Sequence, residues 1–267
     1  MTTLTAPART TGSGSRRFLA LVRAETTILL RNKTAVFIAA VLPLLLAVAF
    51  SGMAMDREFL GVTLAIILVA SGLLFVVYYT LVTSLVGRRE QLVLKRLRSG
   101  EPTSWEILLA PAVPLWALLI IQAVLGIGAA LLLGAPLAHP WALALAVVGG
   151  ASAWTALAVW SATWTRTVES AQLTTMPLMM VSLLLSGFSI PLSALPDPVE
   201  RLAHWLPMTP VVDLLVFAHT GVTPAGSPAD GLGAALLAGG WMLLPLVLWT
   251  LLGLVAGVRN FRWDPRS

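Results

Sequence analysis

The sequence predicts an all-α integral membrane protein with six transmembrane helices, and three observations predict it. Hydrophobic residues fill 58% of the 267 positions and charged residues only 11%, where a soluble domain carries about a quarter charged residues. The apolar residues gather into six runs, each long enough to cross about 30 Å of hydrocarbon as a helix of about 20 residues. The 17 lysines and arginines flank these runs on alternating sides, the pattern that fixes orientation in a bilayer.

Taken in order, residues 1–14 form a polar, disordered tail and residues 15–33 an amphipathic helix lying in the interface. At 100° per residue Phe18, Leu19, Leu21, Val22, Ile28 and Leu29 share one side, with Arg16, Arg23, Thr27 and Arg31 opposite. Glu25 falls inside the apolar sector. A carboxylate there calls for a cationic partner or a protein interface in place of lipid.

The spans follow at 34–53, 60–86, 104–133, 141–164, 171–190 and 232–258. The first lacks the short core and small-residue cleavage site of a signal peptide and is read as a retained helix. The second and third have length to spare for tilt. Fifteen lysines and arginines fall on one side of this arrangement. Only Arg57 and Arg201 fall on the other. Positive residues collect on the cytoplasmic side, so both termini, including the tail 259–267, are placed inside. Trp105, Trp141, Trp205, Trp241 and Trp263 lie near span ends, as an interfacial aromatic belt would. Gly253-Leu-Val-Ala-Gly257 matches the close-packing pattern of membrane helices and is assigned to packing within the chain.

Two segments outside the spans carry structure of their own. Residues 87–100 are the densest charge run and read as a second amphipathic helix. Val93, Leu94 and Leu97 form a ridge, Arg88, Lys95 and Arg98 lie opposite, and Gly100 provides a stop. Thr103 and Glu106 then make a capping box for the third span. Attraction to anionic lipid would account for the charge. The apolar ridge points further, to docking of a cytoplasmic partner. Residues 191–230 face outside as a lid of two short helices. One is expected to start at Asp197-Pro198, with Asp197 as N-cap, and the other at Thr209-Pro210.

The residues also bound the chemistry. There is no cysteine, which excludes disulfides and thiolate sites. His139, His204 and His219 lack metal-ligand spacing. The basic residues lack the surface clustering with aromatics that nucleic acid requires. None of the 12 acids lies mid-span, where ion-coupled carriers usually keep them. No phosphate-binding loop is present, because neither Lys33 nor Lys95 follows the required glycine. No hydrolytic triad is evident. Any energy for transport is expected from another chain. Tyr78, Tyr79, Trp154, Trp160 and Ser161 are candidates for a substrate path, with helix packing the favoured role for the two tryptophans.

Across nearly its whole length the chain resembles the type-2 ABC transporter permeases, close to the drug-resistance exporters of the daunorubicin type. The resemblance rests on Glu25 with Arg31-Asn32-Lys33, on Leu42-Pro43, and on Gly87-Arg-Arg-Glu90 leading into Leu94-Lys-Arg-Leu-Arg98. It continues through Leu185-Ser-Gly-Phe188, Pro191, Leu195-Pro196 and Leu206-Pro207. A family permease often has Glu-Arg where this chain has Arg88-Arg89.

The resemblance implies that residues 15–33, with Glu25, Arg31 and Asn32, are a connecting helix. It implies that Arg88, Arg89, Glu90, Leu94, Lys95, Arg96, Leu97 and Arg98 couple to an ATPase. Ser186, Gly187, Pro191, Pro196 and Pro207 would shape re-entrant or outer helices. Two ABC ATPase subunits, binding ATP and Mg, would pair with this chain and a second permease copy or paralogue in a bacterial cell membrane. No cofactor is expected in this chain. The mid-membrane residues, apolar and aromatic with hydroxyls, favour a hydrophobic or amphipathic substrate such as a drug, antibiotic or lipid. An ion-coupled secondary carrier and a non-transporting scaffold or immunity protein are the competing readings.

Overall fold

The computed structural model describes residues 14–33, 56–187, 189–224, 226–229 and 243–264, with eight isolated positions at 37, 41, 45, 48, 49, 231, 233 and 234. Apart from those positions, the first span (34–53), the Leu42-Pro43 pair, Phe188, Trp241, the beginning of the sixth span and residues 1–13 lie outside the described residues.

The described chain is helical. Helix α1 (Gly14–Arg31) precedes α2 (Arg57–Glu90), a short α3 (Val93–Arg98), α4 (Ser104–Leu132), α5 (Pro140–Trp164) and α6 (Val168–Leu185). A 3-10 turn (Leu192–Ala194), α7 (Asp197–Ala203), α8 (Thr209–Thr220) and α9 (Leu243–Asn260) complete the order. Among the described residues α2, α4, α5, α6 and α9 are long and apolar enough to cross a membrane. The protein is thus an all-α membrane protein.

Helix α5 is the centre. It packs against α2, α8 and, most extensively, α9, and fifteen of its residues are buried, seven of them alanines. Lipid tails are as apolar as leucine, so membrane helices gain little from burying apolar surface against each other. Close backbone approach and van der Waals contact hold them instead, which favours small residues. Gly253 and Gly257 of α9 use this surface. A Cβ added at Gly253 would stand 2.7 Å from the Ala156 carbonyl carbon, and one at Gly257 would stand 3.1 Å from the Trp160 nitrogen. The Gly253–Gly257 pair therefore packs within the chain.

Several element boundaries differ from the sequence reading: the fifth span, read as 171–190, is Val168–Leu185, the second begins at Arg57, and three further differences bear on the site. Helix α2 continues to Glu90, so residues 87–90 end the span and do not begin the loop helix. The chain reverses at Gln91-Leu92, with Leu92 in the left-handed region (φ 59°), and only residues 93–98 form the separate helix. In α4 the α-helix stops at Leu109 and resumes at Ala112. Pro111 lacks an N–H and its ring crowds the carbonyl four residues back. Asp197 is the first residue of α7 and makes no side-chain cap; Pro196 holds the N-cap position. In contrast, the Thr103–Glu106 capping box forms with both of its reciprocal bonds.

A π-helical stretch, Gly72–Tyr79, widens the middle of α2. The Thr80 hydroxyl donates to the Phe75 carbonyl at 2.9 Å, five residues back, as the wider turn allows. The absence of a side chain at Gly72 admits Gln122 of α4, whose Oε1 would lie 2.3 Å from an added Cβ.

Replacing Gly253 by valine forces α9 away from backbone atoms of α5. The expected cost is about 1–3 kcal/mol, read as a lower unfolding temperature in detergent, with Gly257→Ala costing less.

Candidate functional site

The end of the bundle where the sequence places most positive charge is held together by specific contacts among six segments: α1, α2, α3, the start of α4, the end of α5 and the tail after α9. Helix α1 lies along α4, with Phe18, Leu21, Val22 and Leu29 half-buried and Leu19, Ile28 and Leu30 outward. Its one buried residue is Glu25. The misplaced carboxylate meets Arg88 at the end of α2, whose two terminal nitrogens donate one to each Glu25 oxygen. Both side chains are largely buried, at 13% and 8% exposure for Arg88 and Glu25. A two-pronged, charge-assisted pair of this kind fixes orientation as well as distance. At the other end of α1, Arg17 faces Glu101 at 3.5 Å and Glu106 at 3.9 Å.

Arg89 does something else. It is fully buried, and its guanidinium donates to the Ala162 carbonyl at 2.8 Å and to the Thr165 carbonyl. These are late carbonyls of α5, where unpaired acceptors and the helix dipole both favour a cation. Arg89 therefore caps a span from inside the protein, unlike its neighbour Arg88, which reaches α1. Glu90 is exposed. Arg31 ends α1 exposed, and the Asn32 N–H closes the last turn on the Ile28 and Leu29 carbonyls.

Helix α3 buries Leu94 completely, half-buries Val93 and Leu97, and exposes Lys95, Arg96 and Arg98. The ridge expected from the sequence thus faces the protein. Leu92, Lys95, Arg96 and Ser99 line a shallow, open depression of about 360 Å³. The tail after α9 returns to this helix. Arg98 lies over the Trp263 ring at 5.0 Å, Lys95 meets Asp264 at 2.7 Å, and Phe261 packs edge-on against Trp263 at 5.0 Å. Both aromatics are buried. Trp263 belongs to this contact and not to an interfacial belt.

In the membrane interior the candidate path residues form a packed seam. The Tyr78 and Ser161 hydroxyls are 2.9 Å apart, Trp154 meets the Tyr78 ring edge-on at 5.2 Å, and all three are buried. Trp116 donates to Thr155 at 2.9 Å. Tyr79 and Trp160 are half-buried. In this conformation the seam is closed.

At the opposite end α8 is not a surface lid. It packs against α5 and α2, with nine of its twelve residues buried. Gly187, at φ 78°, ends α6 behind the buried Ser186, as a left-handed glycine does at a helix terminus. Pro191 and Pro196 start the next two short turns, and Pro207 is buried in the turn before α8. His219, buried, bonds the Pro136 carbonyl at 2.7 Å, and His139 stacks on Phe217 at 4.6 Å. The histidines thus tie the 134–139 loop to α8. Sequence reasoning missed Asp213, a half-buried residue whose Oδ2 is buried and meets no hydrogen-bond partner among the described residues. Burial pushes its carboxyl from 3.8 up to about 7. An acid flanked by Val211, Val212, Leu214 and Leu215 on a short apolar helix was the available signal.

Two outcomes are expected. Glu25→Gln leaves Arg88 without its counter-charge and lowers stability by about 3–5 kcal/mol; the exchange Glu25→Arg with Arg88→Glu recovers part of that loss in thermal unfolding. For Asp213 the folded state holds the proton more tightly than the unfolded chain. Its stabilising contribution is therefore complete below pH about 4 and lost as pH rises through about 7. Asp213→Asn should stabilise the protein by a few kcal/mol at pH 8, read as a higher unfolding temperature, by less at pH 5, and hardly at all below pH about 4.

A family model for ABC-2 type transporters matches residues 16–218, from early in α1 almost to the end of α8. No curated protein matches the chain. The match takes in most of α1, the spans α2, α4, α5 and α6, and the short helices α3, α7 and most of α8. With the α1–α2–α3 assembly in place, the chain belongs to the ABC-2 type transporter family and is a multi-pass permease subunit of an ABC transporter.

Proposed function

We propose that this chain is the permease subunit of an ATP-driven exporter, moving a hydrophobic or amphipathic molecule out of the cytoplasm or the inner leaflet. ATP and magnesium bind on separate ATPase subunits, two per complex, that dock at α3. A second permease copy or paralogue completes the pathway, and both termini face the cytoplasm of a bacterial cell.

The observation that carries this reading is the placement of α3. A six-residue helix cannot hold itself together in water. Here it is fixed by its buried Leu94 ridge while Leu92, Arg96 and Ser99 remain exposed beside a depression. A short helix with its apolar side spent on its own protein and a basic side turned outward is suited to receive an acidic or polar partner surface. The closed seam at Tyr78, Trp154 and Ser161 has hydroxyls and aromatic faces but no charge, which suits an amphipathic cargo better than a free ion.

Asp213 favours a second reading, ion-coupled transport by this chain alone, because a buried acid near neutral pKa is what such carriers use. One experiment separates them. The purified chain is placed in lipid vesicles with and without a candidate ABC ATPase subunit from the same genome, and binding and ATP hydrolysis are measured. ATPase binding that falls at least about tenfold when Leu92 and Arg96 are both changed to glutamate supports the exporter, a loss of about 1.4 kcal/mol or more. Proton- or sodium-driven flux without any ATPase, abolished by Asp213→Asn, supports the carrier and sinks the exporter.

A further inference from the structure

Residues 261–264 have no part in the reading above, yet they make two contacts with one short element, α3. Phe261 and Trp263 are 7% and 9% exposed and join the same continuous core as Leu94 of α3. Trp263 also lies under the Arg98 guanidinium, and Asp264 meets Lys95. Two of the three cations on α3 are therefore occupied by the protein's own tail, and Arg96 remains turned outward.

We propose that this tail is a strap joining α3 to the last span, with Trp263 as its positioning residue. Displacement of α3 by a bound ATPase is thereby transmitted directly to α9. The inference rests on the reading of α3 as the ATPase-docking element. Its geometry follows from the chain itself. Helix α9 ends at Asn260 and Trp263 lies three residues later, so the link has almost no slack, since each residue spans at most about 3.5 Å. Upstream, α9 is pressed through Gly253 and Gly257 onto the backbone of α5 at Ala156, Leu157 and Trp160. The same stretch of α5 supplies Trp154 and Ser161 to the Tyr78 seam. Movement of α3 therefore reaches that seam by rigid contacts at every step.

A releasable latch is the opposite device, and the burial argues against it. The Lys95–Asp264 pair is open to solvent, at 63% and 66% exposure, and an exposed pair of that kind contributes little. The anchor is the pair of buried aromatics with the cation over the Trp263 face, which would have to leave the core for the tail to let go.

The test separates anchoring from transmission. Spin labels are placed at Leu132→Cys and Leu202→Cys, both highly exposed, in a chain with no cysteine of its own. The chain is assembled with its ATPase in lipid nanodiscs, and the label distance is measured without nucleotide and with ATP and vanadate. In one variant four glycines are inserted between Asn260 and Phe261, which leaves Trp263 free to dock but makes the strap slack. In others Trp263 is changed to alanine or phenylalanine.

The expected result is that the insertion binds ATPase within about threefold of the parent but loses most of the nucleotide-driven distance change. Trp263→Ala should lose it too, and Trp263→Phe should recover it in part. A slack variant that responds like the parent overturns the strap. Tighter ATPase binding or faster hydrolysis on slackening also overturns it, because that is the behaviour of an inhibitory latch. A parent chain that binds no ATPase refutes the docking reading and the strap with it.

Discussion

Close packing against α5 is the constraint from which the rest of the structure follows. Membrane helices do not associate to escape water, so the contact surface must earn its stability from backbone proximity. An alanine-rich α5, 25 residues long, can be approached from three sides, and α2, α8 and α9 each take one. The glycines of α9 bring it within van der Waals reach of the α5 backbone. The large side chains in that centre, Trp154 and Tyr78, fit because their polar atoms or ring edges meet specific partners. The π-helical stretch of α2 lies against the same helix, so this widened turn borders the seam.

Charge is spent at one end of this bundle. Glu25, Arg88 and Arg89 all leave water there, and each is compensated in its own way. Glu25 and Arg88 neutralise one another. Arg89 is met by backbone carbonyls at the end of α5. A buried ion pair is weak evidence for stability, because desolvation offsets much of its attraction. What it supplies here is register. It fixes how far along α1 the end of α2 must lie, and Arg17 fixes the same relation for the start of α4.

Much of this was legible in the sequence, for reasons that are physical. Five spans could be read because charge is excluded from hydrocarbon and the exclusion is visible residue by residue. Glu25 could be singled out because a carboxylate in an apolar sector demands a partner. The partner was not legible. Arg88 and Arg89 are adjacent and chemically identical, and only the 100° between them on α2 sends one to α1 and the other to α5. Trp263 was misplaced because any tryptophan near a span end satisfies the belt pattern, and nothing local says that the chain turns back. The depth of α8 was equally hidden. An apolar helix of twelve residues reads the same on a surface as in a bundle, and its Asp213 looks like part of a polar face although its Oδ2 is buried. Leu92 shows the same limit on a smaller scale: no residue preference marks leucine for a left-handed turn, so the reversal after Glu90 was invisible.

These contacts give α3 an unusual mechanical setting. Its start is tied to α2 by a two-residue turn with strained backbone at Leu92. Its end leads through Glu101 and Glu106 to Arg17, and so to α1 and α4. Its body is joined by the 261–264 tail to α9. Helices α4 and α9 contact α2 and α5 respectively, the two helices that supply Tyr78 and its partners Trp154 and Ser161. Both helices that border the seam are thus reached from α3, α2 directly through the two-residue turn and α5 through the buried aromatic rings and the glycine-to-backbone contacts of α9. Under the docking proposed for α3, a displacement of that helix would load both sides of the Tyr78–Ser161 contact, and neither route is slack.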